Sequence, residues 1–450
     1  MKHLLSATVA MFLASALAAQ AADLPPQLAP MPVKAVPVTT YDWSGFYVGG
    51  YWGTAITQSR ATTGTTPGTV ELNDDGLTGG LTVGYNWQIA PNWLIGAEAD
   101  FGLLRTDRSF TEFNDVPLVG VKTDWLATLR GRVGYVTGPS LIYVTGGAAA
   151  LHGTETFGTN PGLSINRFTN WGWTAGGGIE SKLSRNWSSK TEYLYVDAGT
   201  GDGFPVNFGP ENASFHHQVH VLKTGLNYKL DGGPFDGLPF FRAPLSSPLR
   251  WAGLYAGVNA GGGLSRVHLP NSFYGVPQNE LDVNGAGFTG GAQLGYNFLV
   301  FSNWLAGVEG DFNYLGINHS YTDWNNTAGG LLVQPSLRTS WYGTLRGRIG
   351  SSTGPAFMYI TGGAAFVNVE NSIVAFGVPA STRTTRSGWT LGGGIETELD
   401  ARWSVRLEYL YIDVGTERVT SANGFSDFDN RFQIVRAGLN YKFGDLFAMR

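Results

Sequence analysis

The sequence of 450 residues contains no cysteine. A disulfide framework is therefore excluded, and the stability of the fold must come from its secondary structure and packing. Charged residues make up only 14% of the chain, against about 25% in a typical soluble domain. The formal net charge is -5, and the basic residues form no stripe. Both observations argue against nucleic acid as a partner.

The chain also lacks a long apolar run beyond its N-terminal segment. Mean hydropathy is close to zero, and no later stretch reaches the length of about 18 apolar residues that a membrane helix needs. A helical membrane protein is therefore excluded. A membrane β-barrel is not, because strands that alternate polar and apolar residues average to neutral hydropathy.

Glycine and aromatic residues are abundant instead, with 64 Gly, 14 Trp, 19 Tyr and 26 Phe. They occur in short alternating runs with almost no helical periodicity. This composition and patterning favour an all-β protein in which backbones approach closely.

The first 21 residues have the features of a signal peptide. Lys2 and His3 precede an apolar run, and Ala19-Gln20-Ala21 has the small-x-small pattern of a signal peptidase site. We expect the mature chain to begin at Ala22. The proline-rich residues 22–42 are then predicted to form a flexible spacer.

The chain carries an internal duplication. Residues 128–150 and 344–366 are identical at 15 of 23 positions without a gap. Each copy is two runs of about ten residues, the length of a membrane-crossing strand, joined by a Gly-Pro turn that predicts a hairpin. The repeat extends to residues 43–230 and 251–443, each with eight candidate strands; residues 231–250 are the predicted linker and residues 444–450 a tail.

Connections between the candidate strands alternate in length. In the first copy they are tight near 90–92, 137–140 and 184–186, and long near 57–76, 106–120, 152–167 and 198–216. All length differences between the copies fall in long connections, where insertions are tolerated. Short turns on one rim and long loops on the other are typical of an outer-membrane barrel. We therefore predict two tandem eight-stranded, antiparallel transmembrane barrels; one sixteen-stranded barrel and a soluble barrel or sandwich are the alternatives.

Charged residues recur at matching strand positions of the two copies, and each keeps its sign when Lys and Arg are treated as equivalent. A closed interior explains this, because a buried unpaired charge costs several kcal/mol. The predicted interior network comprises Glu98, Asp100, Arg130, Arg132, Glu180, Lys190 and Glu192, and their counterparts Glu309, Asp311, Arg346, Arg348, Glu396, Arg406 and Glu408. The matching pairs Lys223 with Arg436 and Lys229 with Lys442 belong to the same set of recurring charges.

Aromatic residues occur near the strand ends on the opposite faces, where aromatic girdles meet the lipid interface. The predicted girdle comprises Trp93, Trp125, Tyr135, Tyr143, Trp187 and Tyr228 in the first copy and Trp304, Trp341, Tyr359, Trp403 and Tyr441 in the second.

Five motifs of the first copy are distinctive in combination: Trp-Ser-Gly-Phe-Tyr-Val-Gly-Gly from Trp43, Gly84-Tyr85-Asn86-Trp87, Thr128-Leu129-Arg130-Gly131-Arg132, Glu192-Tyr193-Leu194-Tyr195 and Gly225-Leu226-Asn227-Tyr228-Lys229. They resemble the Omp25/Omp31-type outer-membrane porin family of alphaproteobacteria, over nearly the whole mature chain and twice. The resemblance implies an eight-stranded barrel related to the transmembrane domain of OmpA. Family members usually are single barrels that end on an aromatic residue, whereas seven residues follow Phe443 here.

These patterns predict an integral protein of the Gram-negative outer membrane with a structural role and surface-exposed loops. The alternatives are a low-conductance porin for small hydrophilic solutes, and haem or ligand capture at the loops near His152, His216 and His217. Expected partners are outer-membrane lipid, lipopolysaccharide and the barrel-assembly machinery. Catalytic residues, metals and cofactors are not expected, because the sequence indicates no Ser-His-Asp constellation and the paired carboxylates have arginines to pair with.

Overall fold

The computed structural model describes residues 41–63, 69–111, 118–158, 164–201, 203–205, 212–230, 248–269, 281–301, 303–320, 333–352, 355–375, 378–422 and 424–444. The predicted signal peptide, most of the spacer and linker, and the tail beyond residue 444 lie outside the described residues. Within them, no helix has the length and hydrophobicity to cross a membrane.

The first sheet is built from strands whose side chains alternate strictly between two faces, as the period-two patterning predicts. Its strands are β1 (Gly45–Thr63), β2 (Thr69–Ala90), β3 (Trp93–Thr111), β4 (Leu118–Thr137), β5 (Ser140–Gly158), β6 (Ser164–Lys182), β7 (Trp187–Thr200), the short β8 (Phe204–Pro205) and β9 (Asn212–Lys229).

The second sheet repeats this order after a 3-10 turn at Pro248–Trp251. Its strands are β10 (Gly253–Leu269), β11 (Leu281–Phe301), β12 (Trp304–Gly316), the short β13 (Asn318–Ser320), β14 (Val333–Ser352), β15 (Ala356–Ala375), β16 (Val378–Glu398), β17 (Trp403–Ser421) and β18 (Gly424–Gly444).

Each sheet closes on itself. All neighbours are antiparallel, and β1 pairs with β9 in the first sheet, while β10 pairs with β18 and β12 with β14 in the second. Eight long strands therefore form barrel 1 and eight form barrel 2, and the prediction of two eight-stranded barrels is confirmed. The alternative of one sixteen-stranded barrel is wrong, because the hydrogen bonds of each terminal strand are satisfied within its own sheet.

The strands are longer than the sequence pattern predicted. Most have 17 to 22 residues, about twice the length of 9–11 that crosses a membrane. Wherever they are described, the segments expected to be long loops are therefore largely strand. We call the end with the tight turns the turn rim and the opposite end the loop rim.

Side chains fill both barrels in layers. In barrel 1, an apolar cap that includes Trp43 and Leu94 lies at the turn rim, and two apolar clusters lie toward the loop rim. Barrel 2 has a matching cap with Trp251 and Phe357 and one continuous apolar cluster above it. Between cap and clusters, each barrel holds its charges.

Candidate functional site

Arg130 is the centre of a buried ion-pair network inside barrel 1. Its guanidinium contacts Glu98, Asp100 and Glu192, with nitrogen to oxygen distances of 2.5 Å to Asp100 and 2.9 Å to Glu192. β3 and β4 pair Glu98 directly with Arg130, so that neighbouring inward positions bring the opposite charges together. The other contacts join Lys190 to Glu98 (2.8 Å), Lys223 to Asp100 (2.6 Å) and to Glu192 (3.0 Å), and Arg132 to Glu180 (3.1 Å).

Barrel 2 repeats the network contact for contact. Arg346 contacts Glu309 (2.5 Å), Asp311 (2.9 Å) and Glu408 (3.1 Å). The remaining cations keep their partners, with Arg406 on Glu309 (2.5 Å), Arg436 on Asp311 (2.8 Å) and Glu408 (2.6 Å), and Arg348 on Glu396 (3.3 Å). Each network thus joins four carboxylates to four cations and is electrically neutral. Lys229 and Lys442 do not belong to the networks, because they form ion pairs with Asp42 and Glu398 instead.

Tyrosines complete the network, and the sequence patterns did not assign them to it. Tyr47 donates a hydrogen bond of 2.6 Å to Glu98, and Tyr143 donates one of 2.9 Å to Glu192. Barrel 2 has the equivalents Tyr255 on Glu309 (2.6 Å) and Tyr359 on Glu408 (2.9 Å). Identical tyrosines at matching positions of the two copies were the available signal.

Tyr143 and Tyr359 therefore do not belong to the aromatic girdle, and that prediction was wrong for both. They are 3% and 5% exposed and point inward. On β5 both faces are apolar, with Leu141, Thr145 and Ala149 on the inward side of the strand. Periodicity alone does not distinguish the faces of such a strand.

Most of the other predicted girdle residues lie on the outer face. Trp93, Tyr135, Trp304 and Trp403 are 40–51% exposed at the turn rim. Trp187 packs edge-on against Tyr228 at 5.1 Å, and Trp403 packs against Tyr441 at 5.0 Å. Tyr228 is only 6% exposed.

Trp125 and Trp341 form the other edge of the apolar band. Trp125 stacks on His152 with ring centroids 5.2 Å apart, and Trp341 stacks on Phe312, also at 5.2 Å. On β4, Trp125 lies ten residues from Tyr135, which is about 33 Å along a strand. At a strand tilt of about 40°, this spans about 25 Å along the barrel axis, the height of the apolar band of outer-membrane barrels.

The three carboxylates around Arg130 are also the group best placed to hold a cation. Ligand oxygens of Glu98, Asp100 and Glu192 lie within 4.8 Å of one another. The Arg130 guanidinium contacts all three and so occupies the position that a metal ion would need. The arrangement is that of an ion-pair network.

The three histidines do not form a common site. His217 is 1% exposed and points into barrel 1. His216 and His152 lie on the outer face, where they form hydrogen bonds with Thr200 and Thr169. Because their side chains point to opposite faces of the sheet, they do not converge on one ligand.

His217 instead joins a buried polar chain that the sequence did not indicate. Its Nδ1 lies 2.8 Å from Ser59 Oγ, and its Nε2 lies 2.8 Å from Glu155 Oε1. The ring stacks on Phe168 at 4.5 Å and Phe215 at 6.1 Å. The chain thus lies between apolar side chains inside the barrel, and Ser59 is 3% exposed.

An exposed ion pair, the rim pair, lies near the loop rim of barrel 2. Arg418 donates two hydrogen bonds to the carboxylate of Asp427, of 2.7 Å and 2.8 Å. These bonds lower the pKa of the Asp427 carboxyl from its usual value, and partial burial opposes them more weakly.

Comparison with known proteins gives the family. The model of the outer membrane protein beta-barrel domain matches residues 7–229 and 243–443. The chain belongs to this family of outer-membrane β-barrels. The 31 kDa outer-membrane immunogenic protein of Brucella melitensis is 34% identical over 215 residues, which are 45% of this chain and 88% of that protein.

Two further relatives also match about half of this chain over most of their own length. The 25 kDa outer-membrane immunogenic protein of Brucella abortus is 31% identical over 228 residues, covering 50% of this chain and 96% of its own. The 22 kDa outer membrane protein of Rhizobium leguminosarum bv. viciae is 33% identical over 188 residues, covering 41% and 78%. Each relative matches the length of one barrel, so the family resemblance and the outer-membrane location are confirmed, with the barrel present twice.

Proposed function

We propose that this outer-membrane protein has a structural role in the envelope, as a pair of plugged barrels. The filled interior carries the proposal. Arg130 and Arg346 are 2% and 1% exposed, each is held among three carboxylates, and apolar side chains cover the networks on both sides. An eight-stranded barrel is just wide enough for side chains to fill, so these interiors favour a plug over a lumen.

Bilayer conductance tests the proposal against the porin alternative. The full-length chain is inserted into planar bilayers and compared with a variant that carries Arg130→Gln and Arg346→Gln. We expect no steady unit conductance from the native chain. Steady channels in the native chain, with a conductance that shifts in the variant, would establish a pore through the networks and refute the structural role.

We further propose that the outer faces bind lipid and the lipid portion of lipopolysaccharide. The apolar band of about 25 Å between the two aromatic edges supports this.

The outward alternation of Leu439, Tyr441 and Phe443 at the end of β18 supports recognition by the barrel-assembly machinery. Leu439 and Phe443 are 37% and 54% exposed. Loss of assembly after Phe443→Ser, with assembly intact after Ser426→Ala in the same strand, is the expected result.

We also propose that the chain has no hydrolytic activity, although Ser59, His217 and Glu155 are aligned. Nδ1 and not Nε2 of His217 faces Ser59, and apolar clusters pack against these three hydrogen-bonded side chains. Nitrophenyl ester hydrolysis by the native protein and by Ser59→Ala tests this. Turnover that disappears in Ser59→Ala would show a catalytic serine, whereas equal background rates support a structural hydrogen-bond chain.

A further inference from the structure

One stripe on the outer face of each barrel is buried, although outward side chains of a membrane barrel should meet lipid. Leu129 and Leu345, at matching positions of the two copies, are 65% and 61% exposed and show the ordinary case. The outward side chains of Ile179 and its counterpart Ile395 are only 2% and 1% exposed. The same stripe is therefore covered on both barrels.

The buried stripe continues along the barrel. Ile56 on β1 is 7% exposed, and its counterpart Leu264 on β10 is 8% exposed. Both point outward, because the preceding residues in the two strands, Ala55 and its counterpart Gly263, face the interior. Barrel 1 and barrel 2 lie in one compact unit, and β2 of barrel 1 contacts β11 of barrel 2 beside these residues.

The apolar part of the contact is formed by matching positions of the two copies. One cluster takes residues from both barrels, and it includes three pairs of counterparts: Ile142 with Met358, Ile179 with Ile395, and Leu222 with Val435. A surface that meets its own counterpart is the signature of an isologous, two-fold interface.

Four small residues show the two-fold relation most directly. Ser140 and Ser181 lie side by side on the outer face of barrel 1, with their hydroxyls 3.0 Å apart. Their counterparts in barrel 2 are Ala356 and Thr397, and all four are at most 1% exposed. Thr397 donates a hydrogen bond of 2.6 Å to Ser140 across the interface. Two-fold symmetry places Ser181 against Ala356 in the same way.

Contacts at both ends give the barrels the same direction. At the turn rim, Thr137 donates to the backbone carbonyl of Glu398 at 3.3 Å. At the loop rim, Arg266 of β10 forms an ion pair with Asp75 of β2. Turn rim therefore meets turn rim and loop rim meets loop rim, so both barrels cross the membrane in the same sense.

We propose that the two barrels pair in the membrane through one self-complementary surface, with a two-fold axis along the barrels. This pairing surface comprises Ile56, Ser140, Ile142, Ile179, Ser181 and Leu222 on barrel 1, and the counterparts on barrel 2. The chain is thus a tethered dimer of two like barrels. Small residues at the turn rim allow the close approach that packing in lipid requires, since apolar side chains gain little by leaving lipid for each other.

Paired cysteines test the proposal in the full chain, which has no cysteine of its own and so gives no background disulfide. The first variant carries Ser140→Cys with Thr397→Cys, which are in contact. The second carries the symmetry-related pair Ser181→Cys with Ala356→Cys. The control carries Leu129→Cys with Leu345→Cys, which are matching positions outside the pairing surface. All three have a protease site inserted in the linker at residues 231–247 and are oxidised in outer-membrane vesicles.

After linker cleavage and gel electrophoresis without reductant, both interface variants should stay at full-length mass, and the control should separate into halves. The change of mobility on heating shows that each variant is folded. Separation of the first variant would refute the pairing. Retention of the first variant with separation of the second would refute the two-fold symmetry. Crosslinking mainly to double mass would show that the surface pairs barrels of different chains, which also overturns the proposal.

Discussion

Replacing Arg130 with glutamine removes a cation that contacts three buried carboxylates while leaving the size of the side chain similar. The variant network of barrel 1 then holds four carboxylates and three cations. Barrel 2 keeps its complete network around Arg346 and serves as an internal reference. Removing one partner of a buried ion pair costs about 3–5 kcal/mol, because the remaining charge is stranded.

Proton uptake sets an upper limit on the part of this loss that comes from the stranded charge. One stranded glutamate can be neutralised at a cost of about 1.4 kcal/mol for each pH unit above the ordinary glutamate pKa of about 4.3. The limit is therefore about 4 kcal/mol at pH 7 and about 1 kcal/mol at pH 5. The destabilisation by Arg130→Gln should accordingly shrink as the pH falls from 7 to 5.

Urea-induced unfolding of the full chain in detergent measures this loss. Hydrogen exchange with mass spectrometry reads β3 and β4 of barrel 1 separately from β12 and β14 of barrel 2. We expect an earlier midpoint for barrel 1 alone, and partial recovery when Glu192→Gln is added, because neutrality is restored. Arg105→Gln, on the exposed outer face of β3, is the control. A loss below about 1 kcal/mol at pH 7, or an equal loss at both pH values, would show that the charges are solvated.

Three further predictions concern single side chains. Tyr143→Phe should lower the free energy of unfolding by about 1.5–3 kcal/mol, because its hydrogen bond to a carboxylate is lost. Tyr135→Phe on the outer face should change it by less than about 0.5 kcal/mol. Equal urea midpoints of the two variants would contradict the inward placement of Tyr143. Gly295→Ala would place a Cβ 2.1 Å from the buried hydroxyl of Tyr255 and should lower the free energy of unfolding by about 1–3 kcal/mol. The control is Gly262→Ala, whose Cβ would meet nothing within 4 Å. This variant should unfold at no lower urea concentration than the native protein. In the rim pair, the carboxyl should titrate below 3.8 in carbon NMR. Since its pKa is lowered by folding, its stabilisation is present above that value and is lost as the pH falls through the folded pKa; an unchanged titration after Arg418→Gln would contradict this origin.

The sequence alone determined the local features of each barrel. Alternation along β4 separates Arg130 and Arg132 from Leu129 and Val133, and a period of two fixes the faces wherever one of them is charged. The Gly-Pro turn after Thr137 determines where one strand ends and the next begins, because glycine at position 138 takes a positive φ of 64°. Matching charges in the two copies then predicted an interior network without knowledge of any distance.

Tertiary structure decided whatever depends on a distant partner. Strands continue past the predicted loop boundaries because apolar clusters from several strands fill the barrel there. Tyr143 faces inward because Glu192, 49 residues away, accepts its hydrogen bond. The burial of Ile179 depends on the whole of the other barrel, and its alternation along β6 is the same as that of a lipid-facing residue. Periodicity assigns a side chain to a face of its strand, whereas burial of that face depends on what packs against it in space.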